Sequence, residues 1–230
     1  SILVTFIFFK KHFSFPKGIQ IQIFRSVFLF FSTVFFFYAI SVISLAEALT
    51  LAFISPIIAT ILSYFILKEK VGPRRWVAVV AGFIGVLFVI RPGFNEINIA
   101  TFAAVGAGIC YAFYVISTRK LSSIDSPMMT LIFTGLTGAL VISLLVPFFW
   151  TWLSLSQWLL LISLAAIGTL AHFLLILSLT LAEASKLAPL SYSEIIMNVI
   201  IGYYFFGDFP DQWIWIGLAI IVASGVYISL

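Results

Sequence analysis

Ser44 to Arg91 holds the pattern that most constrains this chain: an apolar run of about twenty residues, the turn KEKVGPRR, and a second apolar run. At 1.5 Å per residue, about twenty helical residues cross the hydrocarbon core of a bilayer. Runs of that kind recur along the whole sequence, and charge is too scarce to coat a water-soluble globule of this length. Only 9% of the residues are charged and 63% are hydrophobic, with a mean hydropathy of +1.23. Soluble domains carry about a quarter charged residues. The chain therefore reads as an all-α polytopic membrane protein, because a segment in lipid must satisfy its backbone internally.

The net charge of +4 sits in short loops between spans and offers no nucleic-acid face. A single cysteine, Cys110, leaves no internal disulfide to form, and two histidines, His12 and His172, supply too few ligands for a transition-metal site. No cofactor is expected, and no Walker-type phosphate loop occurs.

Residues 1–9 (SILVTFIFF) precede Lys10 and Lys11, the reverse of a signal peptide's order. They read as the tail of a transmembrane helix that begins outside the sequence. Spans are then expected at 22–40, 48–67, 74–91, 99–118, 127–149, 155–178, 185–206 and 213–230, eight full crossings plus the stub. If the loop after the stub is cytoplasmic, the loops on that side hold all the Lys and Arg residues except Arg91. That asymmetry follows the positive-inside rule and supports the span count. The opposite loops carry Glu47, Glu96, Asp208 and Asp211, with interfacial tryptophans in WTWLSLSQW.

The sequence also contains an internal repeat. A shift of 139 residues lays Phe53 on Tyr192, Pro56 on Ile195, Glu69 on Asp208 and Trp76 on Trp215; a shift of 140 lays Gly85 on Gly225. The alternation of loops makes helix 48–67 and its counterpart 187–206 run in opposite senses. Two like hairpins of opposite sense are the pattern of inverted-topology transporters, whose sites lie near the bilayer midplane between the halves.

Three stretches carry a family resemblance. LAEALTLAFISPIIATILSYFILKEKVGPRRWVAVVAGFIGVLFVIRPG resembles the signature region of the EamA-type carriers of the drug/metabolite transporter superfamily, in its mid-helix proline, its helix-ending Glu69 and its Gly-spaced second helix. GAGICYAFYVISTRKL is similar to that family's sixth helix, with Tyr111 where Trp is common. LAEASKLAPLSYSEIIMNVIIGYYFFGDFPDQWIWIGLAIIVASGVYI is similar to its ninth and tenth. The resemblance implies a ten-helix transporter fold, an inverted repeat of two five-helix bundles with both termini cytoplasmic. On that mapping residues 1–91 are the remnant of the first repeat (a stub of helix two, then helices three to five), and residues 99–230 are the second repeat (helices six to ten). Glu194 keeps the acidic position of the ninth helix, while Ile195 stands where a proline is frequent.

Glu194 is the leading candidate for chemistry. A carboxylate about nine residues into the span 185–206 should face a cavity, be paired, or carry a proton. It is expected to bind a proton or a cationic group of the substrate. Asn198, four residues on, shares its helical face, whereas Tyr192 stands about 160° round an ideal helix. His172 could relay protons to Glu194, because imidazole titrates near neutrality. Pro56 removes a backbone donor deep in the membrane and orphans the Ala52 carbonyl, a break tolerated beside other helices or a water-filled cavity. Phe53, Tyr38, Tyr111 and Tyr114 could form stacking walls for a ring or a cation. The spacings Ala81–Gly85, Ala104–Gly108 and Thr134–Gly138 permit close helix approach.

These features fit a secondary active transporter of the bacterial inner membrane, moving a small polar metabolite (amino acid, amine, S-adenosylmethionine or a similar compound) by alternating access. Proton coupling or exchange would drive it. The lipid bilayer and a small-molecule substrate are the expected partners, and a homodimer is compatible with the pattern. A non-transporting scaffold would share it. An intramembrane enzyme would need more polar groups at membrane depth than one Glu and one His.

Overall fold

A computed structural model describes residues 16–43, 45–90, 98–148, 150–201, 203–204 and 211–229. Among them the secondary structure is helical, without strands. The elements are α1 (Ile19–Ile40), α2 (Leu45–Ala52), α3 (Ser55–Ile66), α4 (Pro73–Ile90), α5 (Ile99–Leu121), α6 (Pro127–Leu145), α7 (Leu155–Leu181), α8 (Ala184–Leu187), α9 (Glu194–Ile201) and α10 (Gln212–Ser229). A 3-10 turn, Val146–Phe148, follows α6, and another, Pro189–Ser193, joins α8 to α9. Among the described residues, six stretches can cross a membrane by length and composition: α1, Ala48–Ile66 across the α2–α3 break, α4, α5, Pro127–Phe148 and α7, with α10 a shorter apolar helix. The stub at 1–9, Glu96 and Asp208 lie outside the described residues.

Helix ends are set by local chemistry. Ser126 caps α6 by accepting the Met129 N–H at 3.3 Å, with Pro127 in the first position, where its missing N–H is not needed. Before α7, Ser154 and Gln157 form a capping box: the Ser154 N–H donates to Gln157 Oε1 at 2.8 Å and the Gln157 N–H returns to Ser154 Oγ at 3.4 Å. Hydroxyls within the apolar helices donate to their own backbone, as Thr60 does to the Pro56 carbonyl and Thr169 to that of Ala165. That is how serine and threonine are accommodated in lipid.

The chain packs as two compact units, Ser1–Val27 with Ser117–Leu181 and Phe28–Ile116 with Ala182–Leu230, so α1 and α5 each contribute to both. In the first unit the N-terminus of α1 is capped from a distance. The Asp125 carboxylate accepts from the Lys17 N–H at 2.8 Å, the Gly18 N–H at 3.3 Å and Gln22 Nε2 at 3.1 Å. A carboxylate at a helix N-terminus meets both unpaired N–H groups and the positive end of the dipole. One turn further, Arg25 is fully buried and its guanidinium donates to Thr118 Oγ1 at 2.6 Å, Thr134 Oγ1 at 2.7 Å and the Thr130 carbonyl at 3.2 Å. Helix α7 instead presents apolar side chains outward along most of its length, and Trp150, Trp152 and Trp158 cluster at its N-terminal end. Such a belt suits a membrane interface.

In the second unit α4 and α10 run antiparallel in close contact. A Cβ built on Gly85 would stand 2.9 Å from the Gly217 carbonyl oxygen, and one on Gly217 would stand 2.7 Å from that of Gly85. Phe88 stacks on Trp213 at 6.0 Å beyond this crossing. Around it lies a core of Phe53, Val79, Val86, Tyr192, Ile195 and Ile221. At Gly138, by contrast, none of the described residues comes within 4 Å of where its Cβ would be, so no close helix approach falls at that glycine.

Two expected spans are broken. The run 48–67 divides at Phe53–Ile54, where the Ile54 N–H reaches back only three residues, to Leu51, at 3.3 Å. Pro56 lies in the first turn of the new helix, where a proline is tolerated, and so it separates two helices instead of kinking one. The run 185–206 is not the single helix the hydropathy suggests: α8 has four residues, a 3-10 segment comes next, and α9 has eight. The cause is Pro189 in KLAPLS, whose ring lacks an N–H and clashes with the carbonyl four residues earlier. Glu194 is consequently the first residue of α9, not a mid-helix residue.

Candidate functional site

The break before α9 and the break between α2 and α3 meet each other. Tyr192, fully buried in the 3-10 segment, donates its hydroxyl to the Phe53 carbonyl at 3.4 Å, and their ring centroids are 5.9 Å apart. A Cβ on Gly82 would collide with the Tyr192 ring, so glycine there makes the ring's seat on α4. On the other side of the α2–α3 break, a Cβ on Gly108 of α5 would stand 2.6 Å from the Ala52 carbonyl oxygen. Pro56 is the residue that deprives this carbonyl of its helical partner. The close backbone approach at Gly108 therefore falls at the weakened point of the neighbouring helix.

Close by in sequence, Glu194 and Asn198 occupy positions four apart on the exposed side of α9, while Tyr192 turns inward. Glu194 lies within electrostatic reach of the Tyr111 hydroxyl. Tyr111 and Tyr114 pack ring to ring at 5.6 Å and 35°, and Tyr114 is fully buried. The second unit thus brings Phe53 and Tyr192 together and places Tyr111 beside Tyr114. Tyr38 belongs to the same unit and is 45% exposed on α1. His172 belongs to the first unit, in electrostatic reach of Arg25. Among the described residues no group of three metal-ligating side chains forms a cation site.

Three features escape a reading of sequence alone. Arg25 counts there only as a cytoplasmic-side cation, yet it is a buried hub for three threonines. Glu69 has neighbouring cations in its own turn, yet its carboxylate spans to Ala184 and Ser185, more than a hundred residues away. The third is the break at Pro189, which the unbroken apolar run around it hides.

Helices of spanning length and helix breaks buried against neighbours define a multi-pass α-helical membrane protein. The model of the EamA-like transporter family matches residues 1–91 and 98–230, and the chain belongs to that family, one of membrane transporters and not of enzymes. It is 34% identical over 184 residues to a riboflavin transporter of Vibrio cholerae, covering 80% of this chain and 62% of the relative. Over 208 residues it is 28% identical to an S-adenosylmethionine uptake transporter of Rickettsia bellii, covering 90% of this chain and 72% of the relative. A crystal structure 19% identical in sequence superposes over 100% of this chain and 83% of its own, with a TM-score of 0.82, which supports the fold.

Proposed function

We propose that the chain is a secondary active transporter of the bacterial inner membrane that moves a small polar metabolite by alternating access between two inverted repeats, 1–91 and 99–230, of a ten-helix fold. The carrying observation is a set of contacts with exchanged partners. Phe53 and Tyr192, 139 residues apart, pack on each other. The same shift relates Gly82 to Ile221 and Gly85 to Ser224. The pairing of Gly82 with Ser224 recurs as the pairing of Gly85 with Ile221. Around a two-fold axis a residue on the axis meets its own equivalent, and every other contact occurs twice with its partners exchanged. Those are the contacts expected if 48–91 and 187–230 are equivalent halves of opposite sense.

Glu194 then supplies the coupling or recognition charge, with Asn198 on its face and Tyr111, Tyr114, Phe53 and Tyr192 as the aromatic surroundings of the same unit. Pro56 contributes by keeping the α2–α3 backbone broken there. His172, in the first unit, is the proton relay proposed to serve Glu194. The names of the relatives favour a substrate with a flat heteroaromatic ring and a polar chain, for which tyrosine faces and a carboxylate are apt partners.

The test is uptake of radiolabelled riboflavin and S-adenosylmethionine into proteoliposomes, with and without an imposed pH gradient, for the wild-type protein and for E194Q. Gradient-stimulated uptake that E194Q loses is expected. An E194Q protein with the wild-type rate and pH profile would remove Glu194 from the mechanism, and absence of uptake of both compounds would reject this substrate class.

A further inference from the structure

The start of α8 is held by a charged cluster that neither substrate recognition nor the repeat requires. Its first part is Glu69. Lys68 takes a left-handed conformation (φ 54) just past the end of α3, the Glu69 N–H closes back to the Ser63 carbonyl at 3.1 Å, and the chain reverses. The Glu69 carboxylate then accepts three hydrogen bonds from the first turn of α8: the Ala184 N–H at 3.0 Å, the Ser185 N–H at 3.1 Å and Ser185 Oγ at 2.8 Å. The second part is Arg75, in the first turn of α4. Its guanidinium donates to Ser185 Oγ at 2.6 Å and pairs with Glu183 at 2.5 Å. The Ser185 hydroxyl therefore accepts from Arg75 while it donates to Glu69.

All four side chains lie in the second unit, and they tie the 67–75 turn to the entrance of the 184–201 segment. That segment is the least regular helical stretch described: four α residues, five 3-10 residues carrying Tyr192, then α9 beginning at Glu194. A segment with so little continuous helical ladder takes its position from its anchors. The Tyr192–Phe53 contact is dry and buried. The other anchor is charged and partly exposed, with the Arg75 and Glu183 side chains 16% and 37% exposed around a buried Glu183 oxygen. Water and salt can reach the rim of such an ion cluster and compete for its partners, whereas a dry packed contact has no such substitute. The two anchors differ in kind, and only one can open without exposing core.

We infer that Glu69, Arg75, Glu183 and Ser185 form a latch on the loops that charge assigns to the cytoplasm. Closed, it positions the broken helix bearing Tyr192 and Glu194; opened, it frees that helix to pivot about Tyr192 and admits solvent from the cytoplasmic side. Glu69 and Arg75 are positioning residues, acting on the substrate through the segment they hold. The inference rests on the carrier reading of the chain, so its test reads the opening of the segment and not transport.

Ala188, buried between the latch and Tyr192, is replaced by cysteine in a C110A background. Its labelling by a membrane-impermeant maleimide is timed from the cytoplasmic side of inside-out vesicles. E69Q keeps one acceptor oxygen where the carboxylate uses two, and R75Q loses the ion pair; each is expected to speed A188C labelling at least fivefold. The exchange R75E/E183R restores the opposite charges and should return the rate toward that of the intact latch. If the single variants fail to reach the membrane, the same rate is followed in the unsubstituted latch from 20 mM to 1 M salt, where screening should accelerate it. Labelling unaltered by E69Q and R75Q, or by salt where those variants cannot be made, overturns the latch. Faster labelling in the latch variants combined with wild-type transport by E194Q would keep the latch and discard the Glu194 reading.

Discussion

Tyr192 donates its hydroxyl to the carbonyl of Phe53, the residue that leads out of α2 into the break, and the two rings close over the bond. A carbonyl at a helix break in lipid has no water to turn to, so a side-chain donor from another helix substitutes for the missing ladder. At 3.4 Å the bond is long, and Y192F should lower stability by about 0.5 to 1 kcal/mol. Y192A also empties the seat beside Gly82 and should cost about 3 kcal/mol or more. Thermal unfolding in detergent, followed by size exclusion of the heated protein, separates the two. Equal losses for Y192F and Y192A would show that ring packing contributes nothing.

Gly108 and Gly138 give a paired prediction. At Gly108 an added methyl group would press on the Ala52 carbonyl, which is backbone and cannot rotate away. G108A is expected to destabilise by about 1 to 3 kcal/mol through overpacking. At Gly138 a Cβ meets none of the described residues within 4 Å, and the position lies inside α6. G138A should be neutral or stabilising by up to about 1 kcal/mol, the helix-propensity difference between the two residues. Melting temperatures for both variants in one detergent check the contrast. A neutral G108A would mean that α5 does not pack against the α2–α3 break.

How much of this was written in the sequence depends on the range of the interaction. Span positions were legible because length and apolarity are local properties, and the break at Pro56 because a missing N–H has one local consequence. The break at Pro189 was equally local but was obscured by an uninterrupted hydropathy signal, in which a proline weighs little against leucine and isoleucine. Glu69 defeats a local reading: Lys68, Lys70 and Arg74 stand beside it, while its partners at Ala184 and Ser185 are brought near only by folding. Arg25 defeats it differently, since a charge count assigns a cation to a side of the membrane and says nothing of burial. The 139-residue shift lays Phe53 on Tyr192 and says nothing of contact; that the two rings touch is a fact of three dimensions.

Arg25 joins the first turns of α1 to Thr118 on α5 and to Thr130 and Thr134 on α6. A guanidinium reaches three acceptors on two helices because its N–H groups are fixed in a plane; an ammonium presents one nitrogen on a flexible stem. R25K therefore keeps the charge and loses the fork. Hydrogen bonds to a charged group are worth about 1.5 to 3 kcal/mol each in net terms. The expected loss is about 2 kcal/mol or more, seen as a lowered melting temperature of the purified protein. A lysine variant as stable as wild type would mean that the charge alone is what this position requires.

The last prediction concerns the crossing of α4 and α10. A Cβ on Gly85 or on Gly217 would stand 2.9 or 2.7 Å from the other's carbonyl oxygen, so a methyl group on either one pushes the same two backbones apart. In lipid such close approach is a main source of helix association, because the tails around the bundle are as apolar as its side chains. G85A and G217A should each destabilise by about 1 to 3 kcal/mol. The double variant should then fall short of the sum by about 0.5 kcal/mol or more, because the first methyl group already opens the gap the second needs. A double-mutant cycle on unfolding in mixed micelles measures the difference. Strict additivity would mean that the two glycines face separate neighbours, and the antiparallel contact between α4 and α10 would have to be redrawn around Phe88 and Trp213 alone.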